Sequence, residues 1–119
     1  MNSDLETFLG QTRSVSALFA AGRVIFSAGD PANTMYRVES GCVRLQVIGE
    51  AGARHIISFL FPGDLFGYEV EDRICAAEAV TDCVLKSWPI AAVLKRKDDG
   101  PDFTIRLLAE TQSMVGRLA

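Results

Sequence analysis

The sequence predicts a mainly β fold, an antiparallel roll of short strands with helices at both ends. Three observations predict it. Turn signals recur at close to even spacing, at Gly29-Asp30-Pro31, Ser40-Gly41, Gly49 to Gly52, Pro62-Gly63-Asp64 and Thr81-Asp82. The segments between them are short and rich in Val, Ile, Phe and Tyr, residues that fit a pleated, half-buried surface. After Trp88 the apolar spacing changes from a strand's to a helix's.

Taken in order, residues 1–22 read as a helical segment. Leu5, Phe8 and Leu9, then Val15, Leu18 and Phe19, recur at i, i+3, i+4 spacing, which suggests short helices broken near Gly10. Ser3 or Asp4 can cap the first, and Gly22 ends the segment. Residues 23–88 read as the β-roll. Val24-Ile25-Phe26 is its first strand. Met35 to Glu39 alternates, with Tyr36 and Val38 on one face and Arg37 and Glu39 on the other. Val43, Leu45 and Val47 alternate with Arg44 and Gln46, again one dry face and one wet. Ile56 to Phe61 is apolar on both faces except at Ser58, which predicts a central or covered strand. His55 begins that strand and reads as a packed or edge residue. The predicted core comprises Phe26, Tyr36, Val38, Val43, Leu45, Ile57, Phe59, Phe66, Ala77, Ala79 and Leu85.

Residues 89–119 return to helix. Pro89 suits a first helical turn, and Ile90, Val93 and Leu94 give one apolar face. Lys95-Arg96-Lys97 fits a solvated helix end favoured by the helix dipole. Asp98-Asp99-Gly100-Pro101 breaks the helix, and a longer one starts near Asp102. On it Phe103, Leu107, Thr111, Met114 and Leu118 fall 4, 4, 3 and 4 apart, the spacing of a helix that pairs with another. Leu108 and Val115 form a second apolar line. One line can face the roll and the other a second copy, so a homodimer seam is expected there.

Composition narrows the function. The 119 residues fit one domain, and the net charge of −3 with no basic run is not the footprint of a nucleic-acid surface. No apolar run approaches the roughly 20 residues of a membrane span. The start, Met1-Asn2-Ser3-Asp4-Leu5-Glu6, lacks the regions of a signal peptide, so a cytoplasmic protein is expected. Cys42, Cys75 and Cys83 are widely spaced, and His55 is the only histidine. These are too few ligands for a zinc site, and free buried thiols are expected. No catalytic constellation and no phosphate loop of the Walker type appears, so neither an enzyme nor a bound cofactor is expected.

The stretch that organises the roll is Phe61-Pro62-Gly63-Asp64-Leu65-Phe66-Gly67-Tyr68-Glu69, followed by Arg73-Ile74-Cys75-Ala76-Ala77-Glu78-Ala79. Pro62 sets φ for a bend, Gly63 can take positive φ, and the Asp64 side chain can bond back to the backbone. Gly67 allows close approach of a neighbouring strand or a ligand.

That stretch follows Phe26-Ser27-Ala28-Gly29-Asp30-Pro31-Ala32 and Met35-Tyr36-Arg37-Val38-Glu39-Ser40-Gly41-Cys42-Val43-Arg44-Leu45. In this order and spacing the three motifs resemble the sensory domain of the Crp/Fnr family of bacterial transcription regulators, most closely the FixK type. The resemblance runs from about Arg23 to Trp88, with an extension to Ala119.

The resemblance implies a jelly-roll (double-stranded β-helix) like that of cyclic-nucleotide-binding domains, flanking helices and a long C-terminal dimerisation helix. It implies a sensory and dimerisation domain that reaches DNA only through a helix-turn-helix domain, which is absent from residues 1–119. The end at Gly116-Arg117-Leu118-Ala119, without capping or tail composition, leads us to expect a fragment of a regulator. The alternative is a stand-alone module for a cyclic nucleotide or another anion. Residues 1–41 contain no cysteine, so the iron–sulfur mechanism of some relatives is not expected. Haem sensing is disfavoured by the single histidine, whereas sensing through a thiol stays open.

In the nucleotide-binding relatives, a cassette has Gly-Glu, a short helix, then Arg followed by Ser or Thr and Ala. Here Gly67 matches the glycine and Arg73 the arginine. Tyr68 stands where the Glu would be, Glu69 comes one residue late, and Ile74 replaces the Ser or Thr. The intervening segment is also several residues short. Gly67, Tyr68, Glu69, Arg73 and Ile74 are therefore the candidate ligand-site residues, with poor or no binding of cyclic AMP expected. Arg73 is expected to form a surface salt bridge with Glu69, Glu71 or Asp72.

Overall fold

The computed structural model describes residues 9–10, 12–69 and 71–92. Among them, eight strands follow in order: β1 (Val15–Phe19), β2 (Val24–Phe26), β3 (Thr34–Ser40), β4 (Val43–Ile48), β5 (Arg54–Leu60), β6 (Leu65–Phe66), β7 (Ala76–Ala79) and β8 (Cys83–Pro89). β1 pairs with β8, β2 with β7, β3 with β6 and β4 with β5, all antiparallel. The chain is thus one long antiparallel ribbon, doubled back at the β4–β5 hairpin and rolled up. Pairing of β3 with β8 and of β4 with β7 joins the successive layers of the roll. The result is two four-stranded sheets, β1-β8-β3-β6 and β2-β7-β4-β5, the jelly-roll architecture expected from the sequence.

The turns divide into two kinds. Gly49–Ala53 closes the β4–β5 hairpin within one sheet, with Gly49 N–H donating to the Ala53 carbonyl at 2.7 Å. Gly41 and Thr81-Asp82 instead carry the chain from one sheet to the other, and the two corners lock together. Cys42 N–H donates to Thr81 Oγ1 at 3.1 Å, and Val80 N–H to the Cys42 carbonyl at 2.9 Å. Gly41 has φ +88°, and a Cβ there would lie 2.4 Å from the Asp82 carbonyl oxygen. Only glycine lets the corners meet.

Between the sheets lie Phe26, Val38, Val43, Leu45, Leu60, Phe66, Cys75, Ala77, Ala79, Cys83 and Leu85, with Tyr36 and Ile57 packed against them half-buried. Alternation along β3 and β8 sends Met35 and Trp88 to the opposite face of their sheet. There they form a second core with Leu9, Leu65, Tyr68 and Ile90, and Trp88 Nε1 donates to the Leu9 carbonyl at 3.2 Å. Both faces of β3 are therefore dry near its start, and the one-sided reading of that strand missed Met35.

Two other expectations are corrected. Val15–Phe19 is a strand, not a helix, in register with β8 from Val15↔Ser87 to Phe19↔Cys83. Four apolar residues in five positions fit either period, and the backbone groups on the free edge of β8 provide the ladder. β5 lies at a sheet edge, not in the centre. A bulge between Leu45 and Gln46 sets Ser58 opposite Leu45, so Ser58 and Leu60 point inward while Phe59 is 42% exposed and not core. His55 is exposed on this edge strand. Pro89 ends β8 and residues 90–92 are helical; residues 93–119, with the expected stripe Phe103, Leu107, Thr111, Met114 and Leu118, lie outside the described residues. Among the described residues no helix is long and apolar enough to cross a membrane.

Candidate functional site

The β6–β7 connection runs beside the β2–β3 connection, so the ribbon continues through its loops. Gly29 N–H donates to the Arg73 carbonyl at 2.8 Å, and Arg73 N–H donates to the Asp30 carbonyl at 2.8 Å. Ala32 N–H reaches the Glu71 carbonyl at 3.3 Å, and Pro31 bridges Asp72. The two ordered motifs around Asp30 and Gly67 are thereby parts of one site, a juxtaposition that their separation in the chain hides.

Arg73 is the centre of that site. It is 4% exposed, so the expected surface ion pair instead has a buried cation, with the Glu69 side chain 20% exposed. Nη2 donates to the Thr34 carbonyl at 2.6 Å, and Nη1 donates to the Gly67 carbonyl. The guanidinium carbon lies 4.1 Å from the centre of the Phe26 ring, a cation–π contact. Nε is buried and has no partner among the described residues. Below Arg73, Phe26, Tyr36 and Phe66 pack ring to ring, with Tyr36 stacked on Phe66 at 5.2 Å. Burial pushes the Tyr36 hydroxyl pKa up, with the Arg73 charge opposing. Gly67 has φ +86°, and an added Cβ would stand 3.1 Å from Arg73 Nη1 and 3.3 Å from the Thr34 carbonyl oxygen. The glycine is thus what allows the guanidinium to lie against the backbone.

Glu69 supplies the opposing charge. Its Oε2 lies 3.3 Å from Arg73 Nη1, and its Oε1 accepts from Ile74 N–H at 3.5 Å. Although Glu69 comes one residue late, its carboxylate reaches Arg73. The Ile74 side chain is 65% exposed and contributes only its amide. Tyr68 sits in the second core beside Met35 and Trp88. Of the five predicted residues, Gly67, Glu69, Arg73 and the Ile74 amide come together, whereas the Tyr68 side chain does not join them. The sequence reading missed the Thr34 carbonyl and used Phe26 only as core. Their signal was position, since both flank the Asp30-Pro31 turn that pairs with Arg73.

Cys75 follows directly. Burial pushes its thiol up to about 11, the Glu69 charge adds to this, and Arg73 opposes it. Burial also raises Cys42 and Cys83. The three thiols are thus held neutral, against the low-pKa exposed thiolate that redox sensing needs. Among the described residues, no group of three His, Cys, Asp or Glu side chains is placed to hold a metal ion.

The family model for the cyclic nucleotide-binding domain matches residues 17–99. The nitrogen fixation regulation protein FixK of Azorhizobium caulinodans is 35% identical over 94 residues, covering 78% of this chain and 38% of that protein. The transcriptional regulator SdrP of Thermus thermophilus is 35% identical over 106 residues, covering 85% of this chain and 52% of that protein. The structure of FixK2 from Bradyrhizobium japonicum superposes with a TM-score of 0.80 at 26% identity, over 86% of this chain and 52% of that one. The chain spans about half, or less, of the length of these relatives.

Proposed function

The chain belongs to the cyclic nucleotide-binding domain family, in its Crp/Fnr branch with FixK among its relatives, and on that premise we propose that it is a sensory and dimerisation domain that does not respond to cyclic AMP. In this reading, as the Crp/Fnr resemblance implies, DNA contact is left to a helix-turn-helix domain. The observation that carries the reading is the use of Arg73. Its guanidinium is engaged by the Gly67 and Thr34 carbonyls, the Phe26 ring and the Glu69 carboxylate, so a cyclic phosphate would have to displace an internal anion. The residue standing where relatives place a ribose-binding carboxylate is Tyr68, which is core. Exposed Glu71 and Asp72 add negative charge nearby, which opposes an approaching anion.

Calorimetry of this chain with cyclic AMP and cyclic GMP tests the reading. No binding at micromolar concentration is expected, and micromolar binding of either nucleotide overturns it. Dimerisation is assigned to the stripe Phe103, Leu107, Thr111, Met114 and Leu118, which would meet its own copy across a two-fold axis. Light scattering should show a dimer that Leu107→Asp converts to monomer, and a wild-type monomer counts against the assignment.

A further inference from the structure

We propose that Glu69 is a built-in anion that keeps the Arg73 site closed to small oxyanions, so that removing its charge makes the site a receptor for phosphate. The proposal rests on the reading that the wild-type site does not take a cyclic nucleotide.

The carboxylate is held at both oxygens by donors from two consecutive residues, Oε2 at the Arg73 guanidinium and Oε1 at the Ile74 amide. A guanidinium and a backbone N–H converging on one group are the donors that recognise a carboxylate or a phosphate. Here the acceptor is part of the chain, only four residues from the arginine.

The contacts differ in strength. Arg73 Nη2 meets the Thr34 carbonyl at 2.6 Å, and these backbone links bind the arginine to the scaffold. Glu69 stands at 3.3 and 3.5 Å, the long end of hydrogen bonding, and its side chain keeps 20% of its exposure while that of Arg73 keeps 3%. Glu69 is thus the partner that can leave without unseating Arg73. With Glu69 gone, the buried charge and the Ile74 amide lack an anion, and burial makes that lack costly. A tetrahedral oxyanion offers several acceptors to meet both donors. Being tethered, the carboxylate competes at high effective concentration, which keeps the wild type closed.

The experiment titrates inorganic phosphate into wild type, Glu69→Gln, Glu69→Ala and Glu71→Gln, following the Ile74 amide by NMR. Glu71→Gln removes the same charge from an exposed neighbour that does not touch the guanidinium. Both Glu69 variants should bind phosphate at least about tenfold more tightly than wild type, with Ile74 shifting on saturation. Glu71→Gln should change affinity by less than about twofold. Equal gains in Glu69→Gln and Glu71→Gln, or Glu69 variants that keep the wild-type amide spectrum and ignore phosphate, overturn the proposal. Should one Glu69 variant fail to fold, the other decides. Wild type that binds cyclic AMP sinks both this proposal and the function on which it rests, whereas silent Glu69 variants beside a silent wild type sink this proposal alone.

Discussion

The guanidinium of Arg73 lies 4.1 Å from the centre of the Phe26 ring, joining the β6–β7 connection to the end of β2. Arg73 also holds the Thr34 carbonyl at the start of β3, so one side chain ties three parts of the roll together. Arg73→Ala would leave Glu69 without its cation and two carbonyls without their donors. A loss of about 3–5 kcal/mol is expected, the range for breaking a buried ion pair by removing one partner. Arg73→Lys, with one ammonium in place of a planar fork, should lose less than the alanine variant but remain below wild type. Urea denaturation measures both, and a loss below about 1 kcal/mol for Arg73→Ala would remove the structural role argued for it.

Gly41 and Gly63 both have positive φ but differ in surroundings. A Cβ at Gly41 would strike the Asp82 carbonyl and the Cys83 backbone, whereas nothing lies within 4 Å of one at Gly63. Gly63→Ala should therefore show only the left-handed backbone cost of roughly 1–2 kcal/mol. Gly41→Ala should lose that and force the two inter-sheet corners apart, for more than about 3 kcal/mol in total. Equal losses in thermal or chemical denaturation would show that the corners are not in contact.

How far the sequence could be read follows from what its signals encode. Pro62-Gly63-Asp64 was legible because each residue acts locally: Gly63 takes φ +97° and Asp64 Oδ2 accepts from Phe61 N–H at 2.8 Å. Burial of Phe26, Val38, Val43, Leu45, Phe66, Ala77, Ala79 and Leu85 followed from alternation. What failed depended on partners distant in sequence. Val15–Phe19 became a strand because β8 offers it an edge, and β5 lost its cover because β4 is its only neighbour among the described strands. At the site, residue types identified Gly67 and Arg73, but the closure of Arg73 by Thr34 and Phe26 needed the fold. The reach of Glu69 to Arg73 and the Ile74 amide likewise needed the fold.

The inward and outward positions of β5 give a sharp comparison. Leu60 is fully buried, and Phe59, its larger neighbour, is 42% exposed on the edge strand. Leu60→Ala should lose about 2–5 kcal/mol through lost contacts and the cavity left behind. Phe59→Ala should stay near or below about 1 kcal/mol despite the larger side chain removed. The reverse order would place Phe59 in the core after all.

Cys75 makes stability depend on alkaline pH. Its thiol moves from an ordinary value of 9.0 to about 11 in the folded chain, chiefly by burial. Between these values the unfolded chain has released its proton while the folded chain retains it. The unfolded state then binds fewer protons, so stability falls as pH rises. The contribution is fully present below about 9, is lost progressively, and is gone once pH passes through about 11. A shift of this size corresponds to roughly 2–3 kcal/mol. The raised Tyr36 and Tyr68 hydroxyls act in the same direction at higher pH, so wild type alone cannot assign the slope. Cys75→Ala isolates it, because its cavity cost does not vary with pH whereas the thiol's does. Denaturation midpoints of wild type and Cys75→Ala, followed from neutral pH to about 11, should diverge at neutral pH and draw together as pH rises. Parallel curves would mean that the folded thiol ionises like that of the unfolded chain, and would remove burial as the source of its neutrality.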